Sequence, residues 1–449
     1  MEEKLRERRD FMKRFAMDWL KQWKSRENKK PVIVEGVLGA GKTWLIRKFG
    51  ETEYGASVYV DFQLGDDRIN RLFAESLDIG CLVSGLEIYS GKRIRPSETL
   101  IILDNIQAMP NALASLRCFS EALQDYHVIC ASSLLDIVSV HDLTPSLVGK
   151  VEILRLYPMS FQEFFLAMEK EEHLKNFLIK SNFKMTDIFR QHYVDALKYY
   201  FFVGGMPEAV LRFVESRNLD YVKEAQKHIL EEYNHFFISY APSAFYTKVC
   251  GVWESIPNQL RKENKKFFYD LLQEGGRAKF FEEAIAWLSD YGFVYKVNRV
   301  TVPQMPLNDF DSSKVFKLFM TDIGLLACML GMHEDSVSDG NVLFDAFDGV
   351  MTEQYVFQQL VAVSGRDLYY YANERSACEI SCLIIDGRGA IPVDVITKIN
   401  LKDKRLQTYM EKFNPVKAVQ ISLADYHMNE QMLQLPLYAV EKITAELRV

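Results

Sequence analysis

Residues Gly36 to Thr43 read Gly-Val-Leu-Gly-Ala-Gly-Lys-Thr, which fits the pattern G-x-x-x-x-G-K-[ST] at every fixed position. The apolar run Pro31 to Glu35 precedes this stretch as a buried strand would, and Trp44 to Phe49 follows it with helical spacing. The glycines are therefore predicted to lie on a strand-to-helix turn whose backbone N–H groups face one point. Such a turn binds a polyphosphate.

The side chains of this P-loop have the chemistry that a bound nucleotide requires. Glycines allow the loop to curl close to the phosphates, the Lys42 ammonium reaches the β and γ oxygens, and the Thr43 hydroxyl coordinates Mg²⁺. The alternative is a glycine-rich turn with an exposed lysine. The residues of this stretch predicted to contact the nucleotide are Gly36, Gly39, Ala40, Gly41, Lys42, Thr43 and Trp44.

A second strand supplies the carboxylate that a magnesium shell needs. Thr99 to Asp104 is apolar until it ends in acid, so Asp104 is predicted to hold the metal together with Thr43. A general base for the attacking water usually follows at once, and here the next residue is Asn105, which cannot accept a proton near neutral pH. Lys42, Asp104 and Asn105 form the predicted catalytic set, which is suited to holding ATP and poorly suited to cleaving it.

Two further positions are candidates at the same site. The strand-like run from His127 ends in Ser132 and Ser133, and either hydroxyl could contact the γ-phosphate; alternatively, the two serines cap the following helix. Asp61 ends another strand beside the site and could replace the missing base. Its alternative role is that of an aspartate turning a strand into a loop.

Composition excludes several classes of protein. The chain has 449 residues, 48% hydrophobic and 26% charged, with a formal net charge of -7, so no global basic field attracts it to nucleic acid or anionic lipid. Seven scattered cysteines without a secretory leader indicate a reduced, cytoplasmic compartment. No apolar run reaches membrane-spanning length. A soluble protein of two to four domains is expected.

The predicted fold class is α/β. A parallel P-loop sheet with flanking helices is expected first, followed by helical and winged-helix regions and a small C-terminal α/β domain. The predicted segments are an N-terminal amphipathic helix (1–30), the P-loop domain (31–159), a helical lid region (160–245), a winged-helix-like region (246–335) and the C-terminal domain (336–449).

The winged-helix prediction rests on the stretch between Ile256 and Val302. Helical runs Lys265 to Gln273 and Phe280 to Ser289 precede a predicted short hairpin, whose two strand runs are joined by a turn at Asn298. A local concentration of basic residues makes DNA a candidate partner of this region; the alternatives are solvated helix faces or a protein contact. These residues are Arg261, Lys262, Lys265, Lys266, Arg277 and Lys279.

The motifs together resemble those of a large prokaryotic AAA-type ATPase family, in which a C-terminal domain of unknown function with a restriction-endonuclease-like core follows the helical and winged-helix regions. The resemblance covers nearly the whole chain. Besides the P-loop, it rests on the segments Leu103 to Gln107, Ser132-Ser133, Ser146 to Lys150, Pro158 to Phe164, Gly204 to Glu208, Ile256 to Leu260, Phe316 to Leu318 and Asp322 to Leu326.

Two departures from that family fall at hydrolysis positions. The family has Leu-Asp-Glu-Ile-Gln where this chain has Asn105 in place of glutamate. The family also has Gly-Arg where this chain has Gly149-Lys150. The lysine keeps the positive charge that would contact the nucleotide but lacks the planar guanidinium that binds a phosphate through two hydrogen bonds. The resemblance thus implies ATP binding, with Lys150 as a further nucleotide contact and with weakened hydrolysis.

The C-terminal region departs from the family in the same way. A nuclease core needs an acid on one strand and an acid-x-lysine on the next, so that carboxylates hold Mg²⁺. Here Ser381 replaces the first aspartate and Ile396 replaces the lysine, while Glu353, Glu379 and Asp394 remain. Lys398 would lie one pleat too far along the strand. We therefore expect no nuclease activity.

Three functions follow as hypotheses. The first is an ATP-binding, nucleotide-dependent switch with weak or absent hydrolysis, acting on a protein partner or a second copy. The second is an active ATPase whose base is Asp61 or a residue supplied in trans. The third is a DNA-binding protein that uses the winged-helix region.

Overall fold

The computed structural model describes residues 12–122, 125–133, 147–169, 171–179, 189–307, 311–365, 368–373, 378–386, 389–397 and 404–447. The chain divides into two compact units, one formed mainly by residues 13–158 and the other mainly by residues 159–289 and 293–449. None of the described helices combines the length and the apolar character needed to span a lipid bilayer.

The first unit contains a sheet of five described strands in the order β2-β3-β4-β1-β5, and every neighbouring pair is parallel. The strands are β1 (Val32–Glu35), β2 (Ala56–Asp61), β3 (Thr99–Asp104), β4 (His127–Ser132) and β5 (Glu152–Arg155). Every residue of β1, β3 and β4 is buried, which explains why these strands appear in the sequence as continuous apolar runs. The predicted parallel P-loop sheet is confirmed.

Helices cover both faces of this sheet. They are α1 (Phe15–Lys24), α2 (Lys42–Glu53), α3 (Asp67–Glu75), α4 (Ile79–Ser90) and α5 (Pro110–Glu121). Successive residues of a strand face opposite sides, so Val32 and Val34 pack with Trp23 and Phe49, whereas Ile33 packs in a separate cluster on the other face. Within the predicted N-terminal helix, the structure has α1, and residues 1–11 lie outside the described residues.

The second unit begins with helices, as the sequence predicts. The described helices up to residue 290 are α6 (Phe161–Met168), α7 (Glu172–Ile179), α8 (Arg190–Val203), α9 (Pro207–Ser216), α10 (Leu219–Tyr240), α11 (Tyr246–Leu260) and α12 (Ala278–Asp290). Those that follow are α13 (Ile323–Met329), α14 (Asp335–Ser338), α15 (Val342–Ser364), α16 (Lys404–Phe413) and α17 (Ile443–Leu447).

A sheet of eight described strands forms the rest of this unit, in the order β12-β13-β11-β10-β9-β8-β6-β7. Its strands are β6 (Val294–Val300), β7 (Asp311–Met320), β8 (Tyr369–Ala372), β9 (Glu379–Asp386), β10 (Gly389–Val395), β11 (Ala418–Ser422), β12 (His427–Met428) and β13 (Met432–Pro436). Because β6 pairs in parallel with β8, one sheet crosses the boundary that the sequence places at residue 335.

Two local expectations in the winged-helix-like region are wrong. The predicted turn at Asn298 is absent, since β6 runs through it with a register shift at Asn298/Arg299 and pairs with β7 along its length. The predicted helix from Lys265 to Gln273 is replaced by a 3₁₀ turn at Tyr269–Leu271. Here the N–H of Phe267 donates to the carbonyl of Phe316, so a contact distant in sequence takes the hydrogen bond that a helix would use.

Candidate nucleotide-binding site

The P-loop lies at the carboxyl end of β1, between the carboxyl ends of β4 and β5. Gly41 has φ +92° and precedes α2, and Gly39 has φ +80°, a left-handed conformation that side chains other than glycine resist. At Gly36 a Cβ atom would lie 2.2 Å from the carbonyl oxygen of Leu156. The first N–H groups of α2 therefore open onto the curled loop, as phosphate binding requires.

Lys42 is folded against the backbone of its own loop. Its Nζ donates to the carbonyl oxygens of Gly36 (2.7 Å) and Val37 (2.9 Å), and the side chain is buried. Burial lowers the pKa of Lys42 to about 8, while the charge of Asp104 acts in the opposite direction. Among the residues that the structure describes, this ammonium has two carbonyl partners and no carboxylate in hydrogen-bond contact, so phosphate oxygens would provide negative charge that the loop itself lacks.

Asp104 is the polar centre of the site. Its Oδ2 accepts from the Thr43 hydroxyl (2.7 Å) and from the Tyr59 hydroxyl (2.9 Å), and its Oδ1 accepts from the N–H of Asn105 (2.9 Å). The residue is only 1% exposed. A hydroxyl and a carboxylate in direct contact are a suitable oxygen pair for Mg²⁺, so the two predicted metal residues fit the ion. Sequence analysis missed Tyr59, whose pKa is raised by burial and by Asp104.

Asn105 contacts Asp61, the alternative base. Asp61 on β2 lies opposite Asp104 on β3. The side-chain amide of Asn105 donates to Asp61 Oδ1 over 2.9 Å. The same oxygen accepts from the N–H of Gln63. Asn105 has φ +54°, which turns its side chain at the end of the strand. Parallel pairing therefore places both acidic strand ends at one edge of the sheet.

Ser132 and Ser133 are buried at the carboxyl end of β4. Ser132 lies opposite Glu35, and its carbonyl accepts from the N–H of Gly36 over 3.3 Å. Both serines are thus at the P-loop edge. The helix that they would cap in the alternative interpretation falls on residues 134–146, outside the described residues.

Lys150 is not at this site. It precedes β5, whose first residue pairs with the first residue of β1, and its Nζ lies 2.9 Å from Glu121 at the end of α5. This is the edge of the sheet opposite the P-loop, so the structure does not bring Lys150 together with the other predicted nucleotide contacts. The basic residue at the correct end of β5 is Arg155, whose Nε lies 3.6 Å from Glu35 Oε2. Only the strand order reveals it.

Two further residues support the loop. The Arg14 guanidinium donates to the carbonyls of Ala40 (2.9 Å) and Tyr157 (2.7 Å), which fixes the middle of the P-loop from outside. Sequence analysis placed no role on Arg14, since an arginine before a helix carries no distinctive signal. Trp44 packs its ring against the apolar core beside β1, which leaves its backbone as the part near the loop.

Comparisons with known proteins agree with this geometry. Residues 28–165 match the sequence profile of an AAA domain. This segment is therefore similar to an AAA domain. Residues 194–336 of the second unit match a domain of unknown function, DUF8612. No curated protein sequence matches the chain.

Solved structures similar to this chain include three DNA- or nucleotide-related proteins of low identity. The Walker-type ATPase PABY2304 of Pyrococcus abyssi has 11% identity and a TM-score of 0.42, over 71% of this chain and 95% of that chain. ORC1 of Aeropyrum pernix in complex with DNA has 12% identity and a TM-score of 0.30, over 71% and 90%. AMPPCP-bound DnaA of Aquifex aeolicus has 13% identity and a TM-score of 0.24, over 62% and 87%.

Proposed function

We propose that the AAA domain binds ATP with Mg²⁺ and acts as a nucleotide-dependent switch that hydrolyses ATP slowly or not at all. The observation that carries this proposal is the identity and contact of Asn105, which directly follows Asp104 and donates its side-chain amide to Asp61. An amide orients a water molecule but does not take its proton. A site that binds and does not cleave would prolong the ATP-bound state.

Nucleotide binding itself is supported by the residues around the P-loop. The Lys42 ammonium, the N-terminus of α2 and the Thr43–Asp104 pair all lie at the carboxyl edge of the sheet, where open α/β folds bind ligands. In the bound state, Lys42 and the N–H groups of the loop would hold the phosphates. Thr43 and Asp104 would hold Mg²⁺, whose charge neutralises the phosphate oxygens.

A second candidate is an active ATPase with Asp61 as the base. The Asn105–Asp61 hydrogen bond favours this candidate, because it brings a carboxylate to within 2.9 Å of the residue at the water-activating position. In that case Asn105 would orient Asp61 and Asp61 would accept the proton. The two functions make different predictions for the rate of ATP hydrolysis by the Asp61→Ala variant.

Phosphate release from Mg-ATP separates these functions. For a switch, wild type is slow, Asp61→Ala changes nothing, and Asn105→Glu accelerates release by about 10²–10⁴-fold, the usual contribution of a general base. For an Asp61-dependent ATPase, wild type turns over at enzymatic rates and Asp61→Ala abolishes this. Asp67→Ala, an exposed acid of α3, is the matched control.

The nucleotide retained through purification gives an independent answer. Retained ATP supports the switch, and retained ADP supports turnover. Lys42→Ala, which removes the ammonium inside the P-loop, is the control that should copurify with neither nucleotide.

DNA binding remains a prediction, and fewer basic side chains are available for it than the sequence indicated. Of the six basic residues, Lys265 is buried and its Nζ lies 2.8 Å from Glu353, while the Arg261 guanidinium packs on the Phe347 ring at 5.0 Å. Titrating duplex binding against salt is the test, since phosphate contacts give an affinity that falls steeply with salt. These basic residues do not indicate whether the predicted partner is another protein or a second copy of this chain.

A further inference from the structure

A group of buried and half-buried charges lines a cavity of about 540 Å³ in the second unit, which we call the C-terminal cavity. Its lining includes Lys265 from the loop after α11, Lys317 from β7, Glu353 from α15, Glu379 from β9 and Arg405 from α16. The P-loop site uses none of these residues. Glu263 and Asp345 also line the cavity, so among these described residues the carboxylates outnumber the cations.

Lys317 lies among the carboxylates of this cavity. It is 1% exposed, and its Nζ lies 2.7 Å from Glu379 Oε1 and 3.6 Å from Glu353 Oε2. The ammonium also lies 4.9 Å from the centre of the Tyr370 ring. Burial alone would lower the pKa of Lys317, but the two carboxylates outweigh it and raise the pKa above its ordinary range. The lysine is therefore charged and its charge is matched inside the protein.

Two acids at this cavity, Glu353 and Asp394, lie next to further cations. Lys265 Nζ lies 2.8 Å from Glu353 Oε1, and Arg405 Nη2 lies 3.6 Å from Asp394 Oδ2. Burial would raise the pKa of Glu353, yet Lys265 and Lys317 lower it to about 2. Three carboxylates that could ligate a metal are thus each next to a lysine or arginine.

The residues do not fit a divalent metal ion. Mg²⁺ and Mn²⁺ take carboxylate oxygens as ligands, and a nuclease core needs a carboxylate where this chain has Ser381. The Ser381 hydroxyl donates to Asp394 Oδ1 over 3.3 Å, so a neutral group lies at that position. The predicted alternative lysine, Lys398, lies outside the described residues. An entering metal ion would be repelled by the Lys317 ammonium and would have to displace it from Glu379.

We propose that the Lys317 ammonium is a built-in counter-ion that takes the place of a divalent metal ion in the C-terminal cavity. The cavity then binds no metal, and its charges instead tie the loop after α11, strand β7, helix α15 and strand β9 to one another. The nuclease-like acids persist as partners of internal cations. Removing the ammonium while keeping the acids should restore a metal site.

The test counts bound Mn²⁺ by electron paramagnetic resonance on the full-length chain. Wild type and the single variant Glu379→Gln should bind the same number of Mn²⁺ ions, because the proposal has no ion bound to that carboxylate. Lys317→Met, which keeps the approximate length of the side chain and removes its charge, gains one bound Mn²⁺ that wild type lacks. The double variant Lys317→Met, Glu379→Gln loses the gained ion.

A control variant tests whether the gain of Mn²⁺ depends on the position of the lysine that is removed. Lys296→Met removes a lysine from the neighbouring strand β6, whose ammonium packs on the Phe316 ring, and should gain no ion. The proposal is overturned if wild type binds an Mn²⁺ that Glu379→Gln abolishes, or if folded Lys317→Met gains none. If circular dichroism shows that Lys317→Met does not fold, wild type is compared with Glu379→Gln alone. Loss of a bound Mn²⁺ on that change overturns the proposal, and unchanged Mn²⁺ binding supports it.

Discussion

Lys42 in the P-loop and Lys317 in the C-terminal cavity are both buried lysines near carboxylates, but their partners differ. The Lys42 ammonium donates to two backbone carbonyls, and burial lowers its pKa to about 8. The Lys317 ammonium contacts two carboxylates, and its pKa is raised despite its burial. One lysine has a charge that an incoming polyanion would match, and the other has a charge that the protein already matches.

This difference separates the proposed nucleotide site from the proposed counter-ion. Burying an ammonium without a carboxylate partner costs stability, and a fold keeps such a group where a ligand repays the cost. Burying an ammonium with two carboxylates makes each charge depend on the others. The contacts of Lys42 therefore support the proposed nucleotide binding in the first unit, and those of Lys317 support the proposed counter-ion in the second.

The largest expected effect is on the stability of the second unit. Lys317→Met should lower the free energy of unfolding by about 3–5 kcal/mol, because it leaves Glu379 and Glu353 without their shared cation. Denaturant unfolding measures this change. Lys42→Met should cost far less or should stabilise the protein, since it removes an unmatched buried charge. Equal losses for the two variants would remove the distinction between the lysines.

The next effect is on nucleotide affinity. Lys42→Met should weaken Mg-ATP binding by about ten- to hundredfold, the value of a charged hydrogen bond to phosphate of about 1.5–3 kcal/mol. Lys317→Met should leave Mg-ATP binding unchanged in protein that remains folded. Isothermal titration calorimetry measures both, with Lys48→Met on helix α2 as a matched control. Unchanged affinity in Lys42→Met would contradict the P-loop assignment.

The pH dependence of Mg-ATP binding should follow Lys42. Phosphates favour the charged lysine, so its pKa is higher in the complex than the value of about 8 in the free protein. Below that pH both states are protonated and affinity is constant. Above it binding requires proton uptake, so affinity should fall by up to about tenfold per pH unit. Calorimetry between pH 7 and pH 9.5 checks this, and Lys42→Met should show a flat profile over that range.

The smallest effects are expected from two tyrosine hydroxyls. Tyr59→Phe removes a hydrogen bond to Asp104 and should cost about 1–2 kcal/mol of stability. Within the described residues, the buried Tyr370 hydroxyl beside Lys317 has no hydrogen-bond partner, so Tyr370→Phe should be neutral or stabilising. Thermal unfolding compares the two. A larger loss in Tyr370→Phe than in Tyr59→Phe would reverse the expected order.

Predictions from the sequence succeeded where structure depends on neighbours along the chain. Thr99 to Asp104 is a strand with the predicted bounds, because a buried parallel strand is a continuous apolar run. The expected helix from Lys265 and the turn at Asn298 failed, since Phe267 bonds to Phe316 and β6 pairs along its length with β7. The position of Lys150 away from the P-loop was not predictable for a related reason, because it depends on which end of β5 lies at the P-loop edge of the sheet.

From the amino-acid order alone follow the P-loop, its lysine and threonine, the carboxylate of Asp104 and the asparagine that directly follows it at Asn105. All of these depend on spacing within one strand-turn-helix or on one strand end. The folded chain was needed to pair Asn105 with Asp61, 44 positions away, and Lys317 with Glu379, 62 positions away. Strand order and register set those contacts, and hydrophobic burial over the whole chain sets strand order, so no local pattern records them.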